Sequence, residues 1–265
     1  MKQKRMIAPL IVTLIAALGG SILRLWSLHA AMDAQGLPTN HISSYIFAGA
    51  SIAVVILLLV LSRMSPGRSG RHTVLCYDNA GLILGFIAAA LILVGSGIEF
   101  MESLIAGPDI AAPVMCLLGM IGSLCCMATV YFRHCGKTAY PFTELVPILY
   151  LIVKLVLNFK HWSIDPIIWD YCVILFALIF SLLAFHRGAG FVFDLGKPRI
   201  TLFFSAVSVY FCAAAMMEGI TDLTFSTIVT YCGFLLWQLP VIWNLLVPSD
   251  PDPVPEKRHG KTANS

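Results

Sequence analysis

Ionisable side chains interrupt the otherwise apolar stretches of this sequence, and they are the residues best able to do chemistry. They are Arg24, Glu99, Glu102, Glu144, Lys154, Asp170 and Glu218. A charge in hydrocarbon costs a few kcal/mol on insertion scales, so such a side chain faces a partner or water. The structural interpretation is that the charges pair between helices or extend to the lipid headgroups. The functional interpretation is a polar vestibule, in which Arg24 and Lys154 attract an anion or pair with the glutamates.

Two of the glutamates leave a further alternative open. Glu99 and Glu102 are three residues apart, so they share one face of a helix and a cation site there is a third interpretation. All of these residues except Glu144 fall near the predicted extracellular surface. The predicted polar site is therefore Arg24, Glu99, Glu102, Lys154, Asp170 and Glu218.

Catalytic and metal-binding motifs are missing from the sequence. The eight Cys form no CxxC and the seven His form no HExxH, and no GxSxG, Walker loop or GxGxxG occurs. We therefore expect no enzymatic activity, catalytic residue, cofactor or metal site. Intramembrane enzymes use scattered residues, so a lipid-modifying enzyme stays as an alternative, which would need a polar cluster that positions water.

Eight apolar stretches are the elements that must position these side chains. The chain is 58% hydrophobic and 12% charged, whereas a soluble domain carries about 25% charged residues. Helices satisfy their own backbone groups in lipid, so we predict an all-α fold, a polytopic transmembrane helix bundle over residues 1–248. The predicted spans are 6–28, 43–62, 79–101, 112–132, 142–160, 166–186, 199–218 and 225–247.

The distribution of Lys and Arg predicts the orientation. Of the 17 Lys and Arg, all except Arg24, Lys154 and Lys160 fall on one side of the predicted membrane. Basic connections lie in the cytoplasm, so both termini are predicted to be cytoplasmic, and 249–265 is predicted to be a disordered tail. The lipid bilayer is the expected partner, and the charge pattern gives no support for nucleic acid.

The first helix has an alternative interpretation as a signal peptide. Met1 to Arg5 is basic and Ile7 to Leu18 is apolar, with a cleavage position near His29-Ala30. Cleavage would leave seven helices and an extracellular N-terminus. We expect the helix to be retained, because it has a counterpart later in the chain.

That counterpart belongs to a predicted internal repeat of four helices. The first and fifth helices each carry one cation in the outer part, Arg24 and Lys154. The third and seventh end on Met101-Glu102-Ser103-Leu104 and Met217-Glu218-Gly219-Ile220. Four helices per half would give a symmetry axis along the membrane normal; chance similarity between apolar helices is the alternative. The halves would be residues 1–138 and 139–248.

Two further segments carry a resemblance. They are Asn158–Pro166, continuing through Asp170 to Ala177, and Phe191–Arg199. Together they resemble a family of small multi-pass membrane proteins from anaerobic Gram-positive bacteria, over roughly the second half of the chain. The resemblance implies a bacterial plasma membrane and implies no substrate, reaction or catalytic residue.

The leading function hypothesis is a transporter-like or small-molecule-binding membrane subunit with its polar site toward the outer face. The rival hypothesis is a membrane scaffold or sensor that binds another membrane protein. Transport would need an ion gradient or a separate energising subunit, because no ATPase motif occurs in the sequence.

Overall fold

Helices make up almost all of the described chain. The computed structural model describes residues 7–31, 42–65, 71–106, 110–162, 168–221 and 224–247. Its α-helices are α1 (Ala8–Ala31), α2 (Ile42–Met64), α3 (Asn79–Ala106), α4 (Ala111–His134), α5 (Pro141–Trp162), α6 (Ile168–Ala189), α7 (Pro198–Thr221) and α8 (Phe225–Leu246). A 3-10 helix over His72–Leu75 precedes α3, and none of these residues lies in a strand. The predicted tail, 249–265, lies outside the described residues.

Each helix is long enough to cross a bilayer. The shortest have 22 residues and α3 has 28, which at about 1.5 Å per residue spans the roughly 30 Å hydrocarbon layer. All eight are also apolar enough to do so. The chain is therefore a multi-pass membrane protein, and the predicted all-α bundle of eight helices is confirmed. The predicted third span ends at 101, but α3 continues to Ala106 and carries Glu102 within its last turns.

Contacts between helix ends define the two ends of the bundle. Arg199, at the start of α7, donates to the carbonyl oxygen of Ser65 just after α2 at 3.1 Å. This end, where α1, α3, α5 and α7 begin, is called the basic end. At the opposite end, called the far end, the Ser43 hydroxyl of α2 donates to the carbonyl oxygen of Ser27 in α1 at 3.4 Å. The basic residues Arg63, Arg71, Arg133, Lys137, Arg187, Lys197 and Arg199 all lie at or near the basic end.

Six helices form a closed ring. Each of α3 to α8 packs against the next, and α8 closes the ring by packing extensively on α3. The α3–α8 approach is close because glycines lie in the interface: a Cβ on Gly233 would meet the Ala88 carbonyl oxygen at 3.0 Å. Gly95 likewise faces the backbone of Thr230. Small residues of this kind are what allow membrane helices to pack tightly.

The first two helices lie outside this ring. Helix α1 packs on α7, and α2 packs on α1 and α7. Helix α7 is consequently the most buried of the eight and α2 the least. The two predicted halves thus pack against each other, and their contacts include those of α1 with α7 and of α3 with α8. The internal duplication stays a prediction.

Candidate functional site

Arg24 and Glu218 form a buried ion pair between α1 and α7. The guanidinium donates to Glu218 Oε1 from Nε at 2.9 Å and from Nη2 at 2.6 Å. The two side chains are only 4% and 6% exposed. Arg24 also lies 5.5 Å from the centre of the Phe47 ring. The interpretation that fits Arg24 is pairing with a glutamate, because its charge is already matched within the protein.

Lys154 and Glu99 form the corresponding pair between α5 and α3. The Lys154 ammonium lies 2.5 Å and 2.7 Å from the two carboxylate oxygens of Glu99. It also donates to the Tyr150 hydroxyl at 3.3 Å, so all of its donors point to protein oxygens. Lys154 is 4% exposed and Glu99 is 17% exposed. Helices α3 and α5 are not neighbours in the ring, so this pair bridges its interior near the far end.

Glu102 differs from the other acidic residues of the predicted site. Its side chain is exposed, and its Oε2 accepts a hydrogen bond from the Ser226 hydroxyl of α8 at 3.0 Å. Glu102 makes no ion pair among the described side chains. One turn separates it from Glu99, so the two carboxylates share a face of α3 as predicted, but only Glu99 is neutralised.

These residues surround a cavity at the far end of the ring, called the vestibule. It has a volume of about 220 Å³ and is lined by α3, α4, α5, α6 and α8. Among its lining residues are Glu99, Glu102, Lys154, Asn158, Thr227 and Tyr231. The structure therefore brings together three residues of the predicted site, Glu99, Glu102 and Lys154. Arg24 and Glu218 do not line this cavity, and the side chain of Asp170, which belongs to α6, lies outside the described part of the structure.

Tyr231 is a vestibule residue that sequence reasoning missed. It is only 2% exposed, yet its hydroxyl has no hydrogen-bond partner within the part of the chain that the structure describes. A buried hydroxyl normally finds a partner, because an unmade hydrogen bond costs about 1–3 kcal/mol. The available signal was Thr227, four residues earlier, which places two hydroxyls on one face of α8 at its far end.

Arg24 borders a second, larger cavity of a different kind. This groove, of about 560 Å³, runs between α2 and α6 over α7 and is almost entirely apolar. Phe47, Phe176, Phe180 and Phe211 form much of its wall. It opens toward the surroundings of the bundle, where hydrocarbon chains are the medium. Among the described residues of its lining, the neutralised Arg24 is the one that is charged.

A third buried ion pair lies at the basic end and was not predicted. Arg133, in the last turn of α4, donates to Glu144 Oε1 in the first turn of α5 at 2.6 Å. It also donates to the Tyr77 hydroxyl at 2.9 Å. Burial raises the pKa of Tyr77 despite the nearby guanidinium, so this phenol stays a neutral acceptor. Glu144 lies outside the predicted polar site, and in the structure it is the buried partner of Arg133.

Comparison with protein-family models, curated proteins and solved structures found no match to this chain. The resemblance to membrane proteins of anaerobic Gram-positive bacteria stays a prediction.

Proposed function

We propose that this chain binds a small polar solute in the vestibule, as a transporter-like protein or as the solute-binding subunit of a transport system in a bacterial plasma membrane. The far end then faces the outside, as the distribution of Lys and Arg predicts. The observation that carries the proposal is Tyr231, a residue that lines the vestibule and whose buried hydroxyl has no hydrogen-bond partner among the described residues. Phenylalanine would fill the same space without the desolvation cost, so a ligand that completes the hydrogen bond accounts for the phenol.

The Lys154–Glu99 pair gives this site a rigid boundary. It joins two helices that otherwise make little contact, so it fixes the distance between α3 and α5 at the level of the vestibule. A binding site needs such pre-organisation, since ordering side chains on binding weakens affinity. The ion pair therefore supports the site even though its charges are already satisfied.

Polar atoms continue below the vestibule toward the basic end. Gln238 Nε2 and Ser205 Oγ are buried without a hydrogen-bond partner among the described residues. Tyr231 and Gln238 are seven residues apart, so they lie on one face of α8 about two turns apart. Pro240 also deprives the Leu236 carbonyl oxygen of its usual helical donor. Buried polar groups deeper in the bundle than the vestibule support passage of a solute, because a purely structural interior would avoid them.

Ligand-dependent stabilisation tests the proposal. The protein, in lipid nanodiscs, would be heated with separate solutes: amino acids, amines, sugars, polyols, organic acids and nucleosides. A solute at 100 times its Kd stabilises the folded state by about 2.7 kcal/mol, so its Tm shift is measurable. We expect one solute class to raise the Tm of the wild type and to lose this effect in Tyr231→Phe.

Tyr131→Phe is the matched control for that experiment. Tyr131 is an exposed tyrosine of α4 near the basic end and does not line the vestibule. The solute should stabilise this variant as it does the wild type. If no solute acts and a membrane protein co-purifies in a fixed ratio, the scaffold or sensor hypothesis replaces this one.

A further inference from the structure

We infer that the vestibule selects a small organic ammonium ion, with Glu102 as its counter-charge and Tyr231 as a second anchor. This inference rests on the proposed function and names the class of solute. It follows from which charges at the far end are neutralised and which are not.

The charges of the vestibule sum to one uncompensated carboxylate among the described side chains. Glu99 places both of its oxygens on the Lys154 ammonium, so that pair is neutral. Glu102 receives one hydrogen bond from the neutral Ser226 hydroxyl and makes no ion pair there. A carboxylate at the mouth of a cavity with low-dielectric walls raises the local concentration of cations.

The same arrangement disfavours an anion. The cation of this cavity, Lys154, is buried and held by a bidentate carboxylate. An anionic ligand would have to displace Glu99 and leave that carboxylate unpaired within the membrane, which is strongly unfavourable. An ammonium meets no such obstacle, because the Glu102 side chain is exposed and its Oε2 has only a hydroxyl partner.

Tyr231 suggests what the other end of the ligand carries. It lies five residues deeper along α8 than Ser226, so the ligand reaches inward from Glu102 by roughly 7 Å. Its hydroxyl both donates and accepts, which suits an uncharged hydroxyl or carbonyl group. Met115 and Ile174 supply apolar parts of the vestibule wall. A cavity of about 150 Å³ holds benzene, so this one, of about 220 Å³, suits a ligand of fewer than about ten heavy atoms.

Three probes of one shape and different charge test the inference. They are 5-aminopentan-1-ol, pentane-1,5-diol and 5-hydroxypentanoate, which end in an ammonium, a hydroxyl and a carboxylate. Their Kd values would be measured by calorimetry on the full chain in phosphatidylcholine nanodiscs, whose neutral surface does not concentrate cations. We expect the amino alcohol to bind about tenfold or more tightly than the diol, and the anion to bind weakest.

Variants of Glu102 assign the charge preference to this residue. Glu102→Gln keeps an acceptor for Ser226 and removes the charge, so the amino alcohol should lose its advantage over the diol. Glu102→Asp should keep part of the preference for the amino alcohol over the diol. Asp194→Asn is the matched control, because it removes one exposed carboxylate outside the vestibule, at a φ of 56° that asparagine tolerates. Its Kd values should equal those of the wild type.

Three results would overturn the inference. The first is binding of the diol or the anion as tight as that of the amino alcohol. The second is an ammonium preference that survives Glu102→Gln, and the third is that none of the three probes binds the wild type. None of these results decides the proposed function, which is judged separately by the wider solute panel and by Tyr231→Phe.

Discussion

The ammonium of Lys154 contacts both carboxylate oxygens of Glu99, at 2.5 Å and 2.7 Å, and so ties α5 to α3 across the interior of the helix ring. Both partners are largely buried, and removal of one leaves an uncompensated charge in a low-dielectric environment. We therefore expect a substitution of one partner to lower the free energy of unfolding strongly, and a simultaneous substitution of both partners to lower it only mildly.

Lys154→Met should lower the free energy of unfolding by about 3–5 kcal/mol, because Glu99 loses its cation. Lys154→Met combined with Glu99→Gln should recover a large part of that loss. The measurement is unfolding in mixed micelles followed by circular dichroism. A double variant as unstable as the single one would show that coupling between these side chains is not what stabilises the helices.

Arg24→Gln should destabilise the protein without changing solute binding. Glu218 then loses its partner, so a loss of about 3–5 kcal/mol is expected here as well. Arg24 borders the apolar groove and not the vestibule, so the Kd of a vestibule ligand should stay within about twofold. Calorimetry on the folded fraction checks this. A much weaker Kd would place Arg24 in the binding site, as the sequence alone had predicted.

The helices could be predicted because hydrocarbon imposes a simple rule on sequence. Each span must be apolar for about twenty residues, and stretches such as Ile52 to Leu61 satisfy it without interruption. That rule does not predict which helices contact each other, since an apolar helix face packs equally well against lipid and against protein. The closure of the ring by α3 and α8 depends on the close approach of Gly233 to Ala88, which hydropathy does not report.

The polar site could be predicted only in part, for a related reason. A cation and a glutamate within predicted spans indicate that ion pairs exist, and Arg24, Lys154, Glu99 and Glu218 all form them. The partners could not be assigned, because pairing depends on helix packing. The repeat matched Glu102 with Glu218, whereas Lys154 bonds Glu99, one turn earlier.

The sequence did not indicate Arg133 as a buried ion-pair residue or Tyr231 as a site residue, because a simpler interpretation was available for each. Arg133 counted as one of the basic residues that set the orientation, although α4 continues through it and buries it against Glu144. Tyr231 was one aromatic residue within an apolar helix. Its significance depends on its hydroxyl having no partner among the side chains that the structure describes, which only three-dimensional packing reveals.

Tyr231→Phe should stabilise the protein in the absence of ligand by about 1 kcal/mol. The substitution removes a buried hydroxyl that has no hydrogen-bond partner among the described residues, and it keeps the ring in place. A gain in stability on substitution is typical of residues that serve binding at the expense of stability. The free energy of unfolding would be compared with that of Tyr131→Phe, which should be near zero. A clear loss of stability in Tyr231→Phe would mean that the hydroxyl has a structural partner.

Cys135 and Cys76 provide a test of the predicted orientation. Cys135 is exposed in the connection between α4 and α5 at the basic end. Burial raises the pKa of the Cys76 thiol, with Arg133 opposing the effect, so less reactive thiolate is present at neutral pH. In variants that keep only one cysteine, a membrane-impermeant maleimide should label Cys135 in opened membranes and leave it unlabelled in intact cells.

The pH dependence of the same reaction tests the raised pKa of the Cys76 thiol. A raised pKa means that the Cys76 thiolate forms only as the pH rises further, so its labelling in opened membranes should be slow at pH 7 and should increase steeply into the alkaline range. Cys135 labelling in opened membranes sets the reference rate at each pH. Rapid labelling of Cys135 in intact cells would place the basic end outside, and the vestibule would then face the cytoplasm.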